Sequence, residues 1–125
     1  LSEKRGVSTT LLHYPSFVLD VKNAISSGQV KEKIDDVKVA QVLILDDIGA
    51  EQSSPWMRDE ILQVILQHRM QENLPTFFTS NFSFVDLERH FATSRNGDET
   101  WQAKRVMERI RYLAQEVRLE GENRR

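Results

Sequence analysis

The stretch Gln41–Glu51, QVLILDDIGAE, decides how the rest of the chain is read. Val42, Leu43, Ile44 and Leu45 form a short unbroken apolar run, the mark of a strand buried on both faces. The run ends on two adjacent carboxylates, Asp46 and Asp47, followed by Ile48 and Gly49. Aspartate is a poor strand residue, and two side by side repel each other. Consecutive strand residues point to opposite faces, so Asp46 and Asp47 are expected to do different work. Carboxylate oxygens at the end of a buried strand suit Mg²⁺, which is often held by one carboxylate together with substrate phosphates and water. The same pair is also an ordinary way to leave a strand, with one acid capping the next turn.

Upstream of this strand, Val7 to His13 (VSTTLLH) is β-branched and apolar and reads as another strand. Phe17, Val18, Val21, Ala24 and Ile25 then recur at helical spacing, with Ser16 as the expected cap and Ser26-Ser27-Gly28 as the stop. Val30, Ile34 and Val37 indicate a second short helix. Downstream, Ser54 caps and Pro55 opens the strongest helix, whose apolar rows are Met57, Ile61, Ile65 and Leu62, Leu66, Met70. Thr76 to Ser80, within LPTFFTSN, reads as a strand, and Ser83 with Asp86 gives a capping pattern for the following helix. ATSRNGDET is a polar loop; Ala103, Val106, Met107 and Ile110 define a further helix. AQEVRLEGENRR reads as a last short strand and a charged tail. Strands alternating with helices predict an α/β fold, a parallel sheet with helices on both faces. In such sheets ligands sit beyond the carboxyl ends of the strands. Asp46-Asp47 and Thr79-Ser80-Asn81 both fall at such ends.

With 125 residues, 39% hydrophobic and 29% charged, the chain has the composition of one globular domain. No apolar run approaches the ~20 residues of a membrane span. The absence of cysteine rules out disulfides and thiolate metal sites and fits a cytoplasmic setting. A net charge of −2 provides no global basic field, so any contact with nucleic acid must come from a local patch or an assembly. The opening LSEKRG reads as the end of a helix, which raises the expectation of a piece of a longer protein.

Several side chains are candidates for chemistry, each with a plainer alternative. Thr79, Ser80 and Asn81 either poise an amide or hydroxyl beside a phosphate or simply form a turn. Arg105 and Arg109, four apart, share one helical face and are either anion ligands or solvated. His13, His68 and His90 are scattered without ligand spacing and read as structural. Trp56 and Trp101 read as packing residues. No G-x-x-x-x-G-K-[ST] loop occurs in the 125 residues, and no Ser-His-Asp or Cys-His set can be assembled.

The order of the motifs carries more than any one of them. LILDDIGAE, LQHRM, LPTFFTSNFS, RVMERI and GENRR, in that order, resemble the nucleotide-binding core of AAA+ ATPases, and within them the bacterial replicative-helicase loaders of the DnaI/DnaC type, nearest the DnaI branch. The likeness covers nearly the whole chain. It implies a P-loop NTPase domain that binds ATP or ADP with Mg²⁺ and hydrolyses ATP in the full-length parent. Asp46 matches the Walker B position in the metal shell, and Asp47 stands where the family often has Glu, polarising the attacking water. Asn81 matches sensor 1, Arg109 the arginine finger with Arg105 as second candidate, and Arg124 sensor 2 with Arg125 behind it. The Asp at 47 is shorter by one methylene than Glu. The resemblance further implies that residues 1–125 are part of an AAA+ domain, with a Walker A segment and an amino-terminal helicase-binding domain belonging upstream. By itself such a piece would not be active. The implied role is loading the replicative helicase hexamer onto single-stranded DNA during replication, with self-association through AAA+ interfaces and no membrane. Two alternatives are a transposition-helper ATPase sharing this core and a non-catalytic Mg²⁺-binding α/β adaptor.

Overall fold

In the computed structural model the described residues are 8–52, 54–94 and 97–123. Thr9–His13 (β1), Val42–Asp46 (β2) and Thr76–Phe78 (β3) form a parallel three-stranded sheet in chain order. Tyr14–Ser27 (α1) and Val30–Lys38 (α2) cross from β1 to β2. The crossover from β2 to β3 is a π-helical turn, Met57–Leu62, continuing as Gln63–Gln71 (α3). Phe84–Ala92 (α4) follows β3, and a two-residue antiparallel pair, Thr93–Ser94 (β4) with Gly97–Asp98 (β5), leads into Thr100–Asn123 (α5). The α/β class with a parallel sheet is the one read from the sequence.

Local chemistry explains most boundaries. α1 stops at Gly28, whose φ of 73° places it in the left-handed region that glycine enters freely, and its N–H bonds back to Ile25 O. Ser16 is not the cap of α1 as expected. It lies inside the first turn, its Oγ 2.9 Å from His13 Nδ1. Ser54 does cap its helix, accepting the Met57 N–H at 3.2 Å, and Ser83 accepts the Asp86 N–H at 3.1 Å.

A second correction concerns the carboxyl-terminal segment. The expected last strand is absent from the described residues, because α5 runs on to Asn123. The buried row Ala103, Val106, Met107, Ile110 continues to Leu113 at the same spacing. The Gln, Glu, Arg and Leu residues beyond it are good helix formers. The expectation for Leu1–Gly6 lies outside the described residues.

A third correction concerns β2. Leu43 and Leu45 are fully buried, but Val42 and Ile44 are only half-buried, and their neighbour Leu11 on β1 is 67% exposed. Chain-order strands joined by right-handed crossovers bring the connecting helices to the same face. The core therefore forms on the Leu43/Leu45 side, where Phe17, Val21, Ile61, Leu66, Phe91 and Met107 meet.

Two buried arginines tie this layer together. Arg69, on α3, is fully buried and donates to the carbonyls of Val37, Lys38, Ala40 and Pro75 and to Thr76 Oγ1. A cation on the last carbonyls of α2 also complements the helix dipole. Burial lowers its pKa to about 10, which still leaves it charged at neutral pH. Arg58 pairs with Asp59 and Glu99 and donates to Phe91 O, clamping the π-helical turn to the end of α4. Among the described residues no helix is long and apolar enough to cross a membrane.

Candidate functional site

The carboxyl ends of β2 and β3 meet at one place. Asp46 closes β2, and Thr79 Oγ1 donates to its Oδ1 at 2.7 Å. The same hydroxyl accepts the Asp47 N–H at 2.7 Å. Thr79 N–H bonds to Leu45 O, and Ile48 N–H to Thr79 O at 2.9 Å. Ser80 Oγ donates to Ile48 O. Thr79 and Ser80 therefore fasten the two strand ends together, spending their hydroxyls on protein groups. Of the two uses the sequence allows, phosphate ligand or turn, their hydroxyls serve the turn, and the parallel register is the reason.

Asp47 differs from expectation. It is not the next residue of a strand but the first of the loop 47–51, with φ 61°. That left-handed conformation is uncommon outside glycine, though Asp tolerates it better than most residues. The two carboxylates are thus separated by a backbone turn rather than by strand alternation. Asp47 Oδ2 lies 3.5 Å from His13 Nε2. His13 sits opposite Asp46 in the β1–β2 register, so parallel pairing brings an imidazole to the acids. No spacing signal in the sequence reveals this contact.

Gly49 is required by its surroundings. Its φ is 107°, and an added Cβ would fall 2.8 Å from Phe82 Cδ2 and 3.0 Å from Leu87 Cδ1. The buried carboxylate of Glu51 accepts the Gly49 N–H at 2.8 Å and approaches His90 Nε2 at 3.0 Å. Asn81 is exposed and shares with Asp47, Gly49, Ser80 and Phe82 the lining of a cleft of about 190 Å³. Asp46, Asp47 and Asn81 are thus brought to one end of the sheet, as the sequence indicated.

The arginines lie elsewhere. Arg105 and Arg109 line a separate cleft of about 430 Å³ with Lys38, Gln67 and His68. Arg109 Nε donates to Gln67 Oε1 at 2.7 Å and its guanidinium also reaches Arg105 O. The Arg105 guanidinium stands 5.0 Å over the Trp101 ring. Trp101 itself is 66% exposed, a surface stacking partner rather than the packing residue expected. Arg124 and Arg125 lie outside the described residues.

No group of three or more His, Asp or Glu side chains clusters as a metal cage among the described residues. The oxygen donors at the β2 end fit Mg²⁺ in the manner in which that ion is usually held, by one or two carboxylates plus phosphates and water. Asp46 Oδ1 is oriented by Thr79, which leaves Oδ2 for such an ion.

Parallel sheet, crossovers and polar strand ends define an α/β domain, and its likeness to known proteins makes it one of the AAA+ P-loop NTPase type. The chain belongs to the IstB-like ATP binding protein family, whose model matches residues 2–125. It is 49% identical over its whole length to the replicative helicase loader DnaI of Bacillus subtilis (strain 168) and spans 40% of that protein. A crystal structure of DnaI matches with TM-score 0.77 and 45% identity, covering 89% of this chain and 57% of that one. A structure from Streptococcus pyogenes serotype M3, described as a candidate primosome component, matches with TM-score 0.68 and 66% identity over 90% of this chain and 52% of that one. The chain therefore spans less than half the length of the curated relative it matches.

Proposed function

We propose that residues 1–125 form the Walker B and sensor portion of the ATPase domain of a primosomal helicase loader, whose Walker A segment and helicase-binding domain lie upstream. The observation that carries this reading is the Asp46–Thr79–Asp47 tie at the strand ends, with Asp47 and Asn81 lining one cleft. Membership of an ATP-binding family supports a nucleotide rather than a bare cation as the ligand. The likeness to DnaI supports a role in DNA replication, with the replicative helicase and single-stranded DNA as partners and the cytoplasm as its place.

When bound with ATP, Mg²⁺ neutralises charge on the phosphoryl oxygens. Asp46 would hold it through the oxygen that Thr79 leaves free. Asp47 orients the attacking water and accepts its proton. The Asn81 amide donates to the γ-phosphate and separates ATP from ADP. Arg109, with Arg105 as second candidate, serves a neighbouring subunit's nucleotide, and the family likeness assigns the sensor 2 role to Arg124. The test is made in the full-length protein. Asp46→Ala should weaken Mg²⁺-nucleotide binding in an equilibrium titration. Asp47→Asn should keep that binding and lose phosphate release. Normal hydrolysis by Asp47→Asn would remove the assignment.

A further inference from the structure

Asp47 owes its place to a loop whose conformation is costly. Two of its residues have positive φ, Asp47 at 61° and Gly49 at 107°. Such backbone persists only where surrounding contacts over-determine it. Thr79 and Ser80 hold one side of the loop. The other side is held by a carboxylate the nucleotide chemistry does not use. Glu51 is buried, its side chain 5% exposed, and both its oxygens are engaged. Oε1 accepts the Gly49 N–H at 2.8 Å, and Oε2 lies 3.0 Å from His90 Nε2. His90 belongs to α4, the helix that follows Asn81. Its ring packs 5.9 Å from the Phe82 ring and edge-on to Phe91 at 5.2 Å. Phe82 is the next residue after Asn81, and it fills the space a Cβ on Gly49 would need.

A chain of contacts results, from Asn81 through Phe82, His90 and Glu51 to Gly49 and the Asp47 loop. We propose that Glu51 and His90 are positioning residues that fix the Asp47 loop relative to Asn81, so that the water-orienting acid and the phosphate-sensing amide keep one geometry. This rests on the nucleotide-site reading above. A buried carboxylate spanning loop and helix is stronger than a neutral bond, and misplacing a catalytic group by about 1 Å costs on the order of 10²-fold in rate. The simpler alternative is a buried polar pair that only stabilises the fold.

The test uses the full-length protein with Glu51→Ala, Glu51→Gln and His90→Phe, and Asp47→Asn in parallel. Two readouts are taken: amide hydrogen exchange of residues 47–51 without nucleotide, and kcat beside equilibrium MgATP affinity. Glu51→Ala should speed exchange in 47–51 about tenfold or more while residues 43–45 hold their rate. It should lower kcat about tenfold or more with affinity changed less than twofold. Glu51→Gln, whose amide can still accept from Gly49 and donate to His90, should recover most of both. Unchanged exchange, unchanged turnover, or equal losses of kcat and affinity each overturn the proposal. Should Glu51→Ala fail to fold, His90→Phe keeps the ring packing without the bridge, and wild-type turnover there overturns it equally. If Asp47→Asn turns over normally, the nucleotide-site reading fails, and the exchange measurement still decides whether the pair holds the loop.

Discussion

Thr79 shows how much one hydroxyl can organise. It donates to Asp46 Oδ1 and accepts the Asp47 N–H, each at 2.7 Å, so it sets the orientation of one acid and the backbone of the other. Valine has almost the same shape and neither function. Thr79→Val should therefore cost only about 1 kcal/mol of stability yet lower turnover about tenfold, since both acids lose their restraint. Chemical denaturation beside steady-state ATPase in the full-length protein checks this; loss of stability without loss of rate would make Thr79 a strand tie alone. At this scale the structure replaces the geometric reason the sequence offers for treating the two acids separately. Asp46 and Asp47 differ because the chain turns between them, not because a pleat alternates.

Among the elements, α2, α3 and β3 share a hydrophobic core and are bridged in addition by one polar side chain. Arg69 gathers three carbonyls at the end of α2 and two acceptors at the start of β3. β3 carries Thr79, Ser80 and Asn81 just beyond its end, so the register of the site depends on this arginine. Arg69→Met keeps volume and leaves those acceptors without their donor. It should destabilise by about 3 kcal/mol or more, measured by urea unfolding, and midpoints equal to wild type would show that water replaces the guanidinium. Its importance was hidden in the sequence, where LQHRM shows only an arginine near a helix end. The π-helical turn at Met57–Leu62 was hidden too, because its apolar residues satisfy ordinary helical spacing. The extension of α5 is hidden in the sequence because Val117 and Leu119, in a stretch of charged residues, mimic a short strand in composition.

For the whole molecule, the sheet places the acids and the arginines apart. Asp46 ends β2 and Asp47 opens the loop after it, whereas Arg105 and Arg109 line a cleft with α3 residues that shares no residue with the cleft at Asp47. The row Ala103, Val106, Met107, Ile110 is buried and turns the arginines away from the core. Under the proposed function such a guanidinium is assigned to a second subunit's nucleotide, where a finger of this kind contributes ~10³–10⁵ in rate. Mixing full-length Arg109→Ala and Asp47→Asn subunits, each inactive alone, should restore part of the ATPase. Some interfaces then pair an intact Asp47 with an intact Arg109. No recovery in mixtures shown to co-assemble would return Arg109 to its contact with Gln67.

The sequence by itself determined the α/β class, the polar strand ends and the candidate acids, because burial periodicity and capping residues are local signals that survive in one dimension. The family likeness added names for those positions. Only the tertiary structure decided that Asp47 leaves the strand in a left-handed turn, that Thr79 joins the two acids, that His13 stands beside them and that Glu51 and His90 bridge the loop to α4. Each of these depends on strands and helices brought together across 32 or more residues, or on a backbone torsion set by such contacts. Parallel register and the packing of Phe82 against Gly49 are set by the global fold, and no local pattern of residue types encodes them.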